Sequence, residues 1–224
     1  MQRLRSSSQP RPHRFAPLGL AVLLLWGLWG SPAAAEGSDP WETLEQVRAA
    51  SETAGILSAD FDQSYVPAGF DTAEERSGRM FMELPDCLRV EYSEPYPESY
   101  LICGGVVHAW NPEDGSGRRY LVDPEDEPGL DLLLLSTGEL RRRYQATVEE
   151  GADGALEILL EPHVTTERLR EAAFMVRPQT HRIVGIRYRD ADGGTTTFEL
   201  ENYQEVEGRD VFTAPRDIEW QGES

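Results

Sequence analysis

The residues of this chain able to carry chemistry are few in kind. It holds 4 His, 2 Cys and 40 Asp and Glu against 21 basic residues, all of them Arg. Without Lys there is neither a Schiff base nor a P-loop ammonium. His108, His163 and His181 stand outside any H-E-x-x-H pattern, and no Cys–His spacing fits zinc, so no metal site is expected. There is no G-x-S-x-G elbow and no glycine-rich phosphate loop. Asp190-Ala191-Asp192-Gly193-Gly194 is half a calcium loop, but its sixth position is Thr195, where a glycine is required. A hairpin turn between Tyr188 and Thr197 suits it better. Acidic pairs such as Glu149-Glu150 sit at turns. No nucleophile stands with its base, no cofactor is implied, and the chain reads as a non-enzyme. The net charge of −19 argues against nucleic acid and against adhesion to anionic lipid headgroups.

The first 35 residues of the 224 are an address. Arg3, Arg5, Arg11 and Arg14 form a basic start, Leu18 to Gly30 is apolar, and Ala33 and Ala35 occupy the small positions of a cleavage site. This pattern predicts a secretory signal peptide, since the apolar run falls short of the ~20 residues that span a bilayer. Residues 36–224 are then expected to form one exported domain in the periplasm.

The elements that position the remaining residues follow from caps and periods. Asp39-Pro40-Trp41-Glu42 reads as an N-cap, a proline at N1 and an acid three residues on, so a helix is predicted from Pro40 to Ala54, with Trp41, Leu44 and Val47 on one face. After Gly55 the period becomes two. Strands are predicted at Leu57–Tyr65, Gly78–Leu84, Cys87–Tyr92, Tyr100–Cys103 and Val106–Trp110. Pro128 to Gly138, with Leu132, Leu133 and Leu135, reads as a short helix. The acidic stretch Asp123 to Asp131 before it reads as a solvated loop. Strands are then expected from Leu140 to Val148, Ala155 to Leu160, Ala172 to Val176, Ile183 to Arg189 and Thr195 to Tyr203, with Val211-Phe212 and Ile218 to Trp220 at the end. The sum is a mostly β α+β domain built on an antiparallel sheet.

Two cysteines in an exported chain suggest a disulfide. If Cys87 opposes Cys103, then Leu88 faces Ile102, Val90 faces Tyr100 and Tyr92 faces Glu98. The apolar members then share one face, with both cysteines on the other, so the bridge and the hydrophobic pattern agree on one register. The same soft face continues through Met80, Met82 and Leu84, and again through Val184, Ile186, Tyr188, Phe198 and Leu200. Two helices are a small cover for so wide a sheet. An apolar cavity is therefore expected, with flexible methionines on its wall. An acyl chain gains ~0.8 kcal/mol per buried CH2 and needs no polar motif to bind there. On this reading Leu88→Glu abolishes acyl binding and leaves the circular dichroism intact.

Phe61-x-Gln63, Ser77-Gly78, Leu84-Pro85-x-x-Leu88-Arg89-x-x-Tyr92-x-x-Pro95 and the late block from Ile186 to Gln204, in this order after a signal peptide and a short helix, resemble the outer-membrane lipoprotein carrier family, LolA. The resemblance implies an unclosed β-barrel, or highly curved sheet, with a helical lid over a hydrophobic cavity. It implies a monomer that carries acylated lipoproteins from an inner-membrane ABC transporter to an outer-membrane receptor. It places Met80, Met82, Leu84, Leu88 and Val90 on the cavity wall. The Arg that latches the lid in that family, just before the strand-ending proline, is Leu84 here. A lipid-binding or envelope-stress-sensing module, and a small enzyme, are the other functions such a scaffold takes.

Overall fold

The computed structural model describes residues 39–121, 130–164 and 169–222. The expected signal peptide and most of the Asp123 to Asp131 stretch lie outside the described residues. Helix α1 spans Pro40–Ala54, as its cap predicts: the Asp39 carboxylate accepts from the backbone N–H of Trp41 at 2.8 Å and of Glu42 at 3.4 Å. Gly55 stops it at φ 72°, a conformation that an L side chain resists.

A sheet follows: β1 (Leu57–Val66), β2 (Glu74–Glu83), β3 (Cys87–Tyr92), β4 (Ser99–Cys103), β5 (Val106–Asn111) and β6 (Ser116–Leu121). Two short helices, α2 (Leu130–Leu134) and α3 (Thr137–Arg143), interrupt it. It resumes with β7 (Tyr144–Glu150), β8 (Leu156–Pro162), β9 (Leu169–Arg177), β10 (Arg182–Asp190), β11 (Thr195–Glu205) and β12 (Glu219–Gln221). The spatial order is β12-β6-β5-β4-β3-β2-β1-β11-β10-β9-β8-β7. Every pairing is antiparallel except β12 against β6. This is the unclosed, mostly β architecture expected, with β7 and β12 at its two ends. Among the described residues no helix is long and apolar enough to cross a membrane.

Four expectations are corrected. The strand predicted from Leu140 begins only at Tyr144, because α3 occupies Thr137–Arg143. Gly138 lies inside α3 and does not end the helix before it. Ser136-x-x-Glu139 forms a capping box, a signal present in the sequence, which starts a new helix. Gly115-Ser116-Gly117 carries the composition of a turn that would close the unit after Trp110, yet Ser116 and Gly117 open β6. Val211-Phe212 lie in a 3-10 turn, Arg209–Phe212, and not in a strand.

Cys87 pairs with Cys103 across β3 and β4 and is bonded to it. Leu88 faces Ile102 and Val90 faces Tyr100, the register that hydrophobicity predicts. Behind this bridge lies a second, small core: Leu101, Trp110 and Ile218, with Phe212 and Trp220 against them. Arg89 ties the C-terminal segment over that face through a hydrogen bond to the Val211 carbonyl at 2.8 Å. The bridge closes a sequence separation of 16 residues, so Cys87→Ser with Cys103→Ser should cost about 3 kcal/mol. The measurement is the urea midpoint; a midpoint equal to that of the wild type would make the bridge energetically idle.

Candidate functional site

The concave face is built of cross-strand rows, each fixed by register. One runs Leu57, Met82, Leu88, Ile102, Val107 across β1 to β5; all five are buried. The next runs Ala59, Met80, Val90, Tyr100, Ala109, Arg118, and passes from buried apolar residues to an exposed cation at the sheet's edge. Across β1 the same face continues through Leu200, Phe198 and Ile186 on β11 and β10.

Phe61 lies at the centre of this face. Its ring meets Tyr92 edge-on at 5.2 Å and Phe198 at 5.7 Å. The ring has room because its partner on β2 is Gly78. A Cβ on Gly78 would lie 2.0 Å from the Glu91 carbonyl oxygen and 2.8 Å from the Phe61 ring. Glycine is therefore required here by the approach of two neighbours, and not by its φ.

The structure brings together most of the predicted wall. Met80, Met82, Leu84, Leu88, Val90 and Ile102 join one buried cluster with Ile186 and Leu200. Tyr92, Tyr100, Tyr188 and Phe198 are partly buried against it. Val184 is the exception. A bulge between Ile183 and Gly185 against β9 shifts the alternation by one residue, so Ile183 pairs with Val176 and enters the cluster in place of Val184. Sequence reasoning also missed the far half of the face. Ile158 and Leu160 on β8, and Phe174 and Val176 on β9, are fully buried in the same cluster. Ile158 pairs with Phe174, which pairs with Ile186, so alternation within β8 and β9 carried the signal.

The helices cover this face. Leu44 and Val47 of α1 and Leu132, Leu133 and Leu135 around α2 share the wall's cluster, and Trp41 packs on its margin. Among the described residues the wall lies under these leucines, which are themselves buried. A void of about 10 Å3, lined by Leu57, Met82, Leu84, Ile183 and Tyr203, lies beside Ser51 of α1. That is room for about one water. The lid leucines stand in the wall's own packing.

One side chain joins the two covering helices. Arg48 of α1 donates from Nη1 to the Leu133 carbonyl at 2.6 Å, and from Nη2 to those of Leu132 at 2.9 Å and Leu135 at 2.7 Å. These acceptors sit at the C-terminal end of α2, where carbonyls lack intrahelical partners and a cation is favoured. Desolvation lowers the Arg48 pKa to about 10, with Glu52 opposing, so the group remains charged at neutral pH. Nothing in local sequence marks Arg48, since its partners lie more than eighty residues away.

Beyond α2, Ser136 Oγ accepts from the Glu139 N–H at 3.3 Å, and a Glu139 carboxylate oxygen accepts from the Ser136 N–H at 2.8 Å and hydroxyl at 2.6 Å. The Ser136 hydroxyl first, then its backbone N–H, hold the Glu139 carboxyl below the usual range. A depressed carboxyl adds stability at neutral pH that is lost as pH falls through its folded-state value. Ser136→Ala should cost about 1 kcal/mol at neutral pH and flatten the acid limb of the stability profile. An acid limb as steep as that of the wild type would detach Glu139 from that loss.

At the sheet end where β1 meets β2, the face turns polar. The Tyr92 hydroxyl donates to Gln63 at 2.6 Å, and the Arg76 guanidinium stacks 3.7 Å over the Tyr92 ring while pairing with Glu98 at 3.0 Å. Burial pushes the Tyr92 and Tyr100 hydroxyls up, so both stay protonated hydrogen-bond donors at physiological pH. Among the described residues no three His, Cys, Asp or Glu side chains gather as metal ligands.

The family model for the outer membrane lipoprotein carrier protein LolA matches residues 52–213. An uncharacterized conserved protein from Thermus thermophilus shares the fold at 10% identity and a TM-score of 0.54, over 80% of this chain and 96% of its own. A LolA superfamily protein from Nitrosomonas europaea is 8% identical, with a TM-score of 0.45 over 79% of this chain and 98% of its own. A putative outer membrane lipoprotein-sorting protein domain from Vibrio parahaemolyticus is 11% identical, at 0.46, over 77% and 95%. No curated protein matches the chain.

Proposed function

Because the chain belongs to the outer membrane lipoprotein carrier protein LolA family, we propose that it is a periplasmic carrier of acylated lipoproteins. The observation that supports this reading most directly is the continuous apolar wall from Leu57 to Val107, covered by two helices whose shared tie is Arg48. In the closed form the lid leucines occupy the wall. In the loaded form acyl chains replace them, with a gain of ~0.8 kcal/mol per CH2 against the cost of exposing the lid. Arg48 then does the work of the Arg that Leu84 displaces. Its bonds run to backbone carbonyls, so they break and re-form without a change of sequence partner. The proposed partners are a transporter at the inner membrane that loads the chain and a receptor at the outer membrane that empties it. No step makes or breaks a covalent bond.

Gentle purification from the periplasm followed by mass spectrometry should find bound lipid or lipoprotein, and the exported protein should release a lipoprotein from inner-membrane spheroplasts. Bound lipid without release assigns the chain to lipid binding alone, the role of an envelope-stress sensor. Retention of neither rejects the carrier reading.

A further inference from the structure

The row that begins in the buried floor at Ala59 and Met80 ends in a cavity at the sheet's edge. That cavity, of about 330 Å3, is lined among others by Glu98, Tyr100, Ala109, Asp114, Arg118 and Gln221. Tyr100, Ala109 and Arg118 are the last three members of the row itself. Neighbouring strands lie ~4.8 Å apart, so the path from Met80 on β2 to Arg118 on β6 is roughly 19 Å. One leaflet of acyl chains occupies about 15 Å of a bilayer. A chain laid along this row would therefore bring its head to the edge cavity.

The cavity's groups are mixed in sign and kind. Glu98 is already matched by Arg76 at 3.0 Å, and the Tyr100 hydroxyl lies 3.4 Å from the same carboxylate. Arg118 has no hydrogen-bond or ion-pair partner among the described residues, and the Asp114 carboxylate shares the cavity with it. With the Arg118 guanidinium and the Asp114 carboxylate both in its lining, the cavity offers charged groups of both signs. A phosphate would meet a carboxylate on one side; a neutral head rich in carbonyl and N–H groups would find a partner for each.

We propose that this edge cavity binds the ester- and amide-bearing head of the acylated guest, with the Arg118 guanidinium donating to its carbonyl oxygens. The inference rests on the carrier reading and adds to it a second contact, made with the head and not with the chains. The test uses two probes on the exported protein: a synthetic tripalmitoyl-cysteinyl peptide and hexadecane, a chain of similar length without a head. Arg118→Ala removes the donor; Ala109→Trp fills the cavity from a rim position and leaves the buried floor untouched. Both variants should bind the lipopeptide about tenfold more weakly and bind hexadecane within twofold of the wild type. Lipopeptide affinity unchanged in both variants would overturn the head site and leave the carrier reading standing. Equal loss of both probes would overturn it too, because the residues would then act on the chain. A wild type that binds neither probe rejects the carrier reading itself, and this inference with it.

Discussion

Arg48→Met should loosen the attachment between α1 and α2 and cost about 3 kcal/mol of stability. Three charge-assisted hydrogen bonds disappear, and the carbonyls of Leu132, Leu133 and Leu135 are left to find water. A methionine keeps the length of the stem and most of its packing, so the change isolates the guanidinium. The informative readout is local. Amide exchange across α2 and α3 should accelerate far more than exchange in β2, β3 and β4, and an acyl fluorophore should enter faster than in the wild type. If exchange in α2 matches the wild type while global stability falls, Arg48 is a structural tie without a gating role.

Leu88→Glu is expected to have the largest effect of any single change on the wall. Its neighbours on the row, Met82 and Ile102, leave the side chain only 1% exposed. The substitution removes a packed leucine and places a carboxylate where no cation waits, at a cost of 4 kcal/mol or more by order-of-magnitude reckoning, roughly the sum of a cavity and an unpaired buried charge. The sequence predicts lost acyl binding with an intact circular dichroism spectrum; the burial of Leu88 replaces that with lost structure. Thermal melts should show a broad, low transition at neutral pH, partly recovered in acid as the carboxyl takes up a proton. A melt like the wild type's, with binding abolished, would restore the earlier expectation and mean that the wall is solvent-accessible in solution.

The elements legible in advance were those whose signals are local. Asp39-Pro40 announces α1 within a few residues, and the alternation of Met80, Met82, Leu88 and Val90 needs only neighbours. The Cys87–Cys103 register was readable because two independent constraints named the same pairing. The bulge at Val184 was not, since alternation continues through it in the sequence and only the pairing with β9 reveals the extra residue. Arg48 was invisible for a different reason: an arginine on a helix is ordinarily a solvated charge, and what makes it otherwise is the distant arrival of α2. Leu140 fits a strand or a helix equally well by periodicity, and the capping box decides between them.

The strand order has a consequence for how the molecule comes into being. β1 lies between β2 and β11, so Phe61 must wait for Leu200. The strands on either side, β1 to β6 and β7 to β11, pair with sequence neighbours and can zip early; the seam between them joins nearly the whole chain and closes late. Until the C-terminal half is present, the N-terminal half carries raw strand edges along β1 and β6, which β11 and β12 then cover. Refolding should therefore show one slow phase reported by probes at the seam, preceded by faster formation of the β3–β4 hairpin.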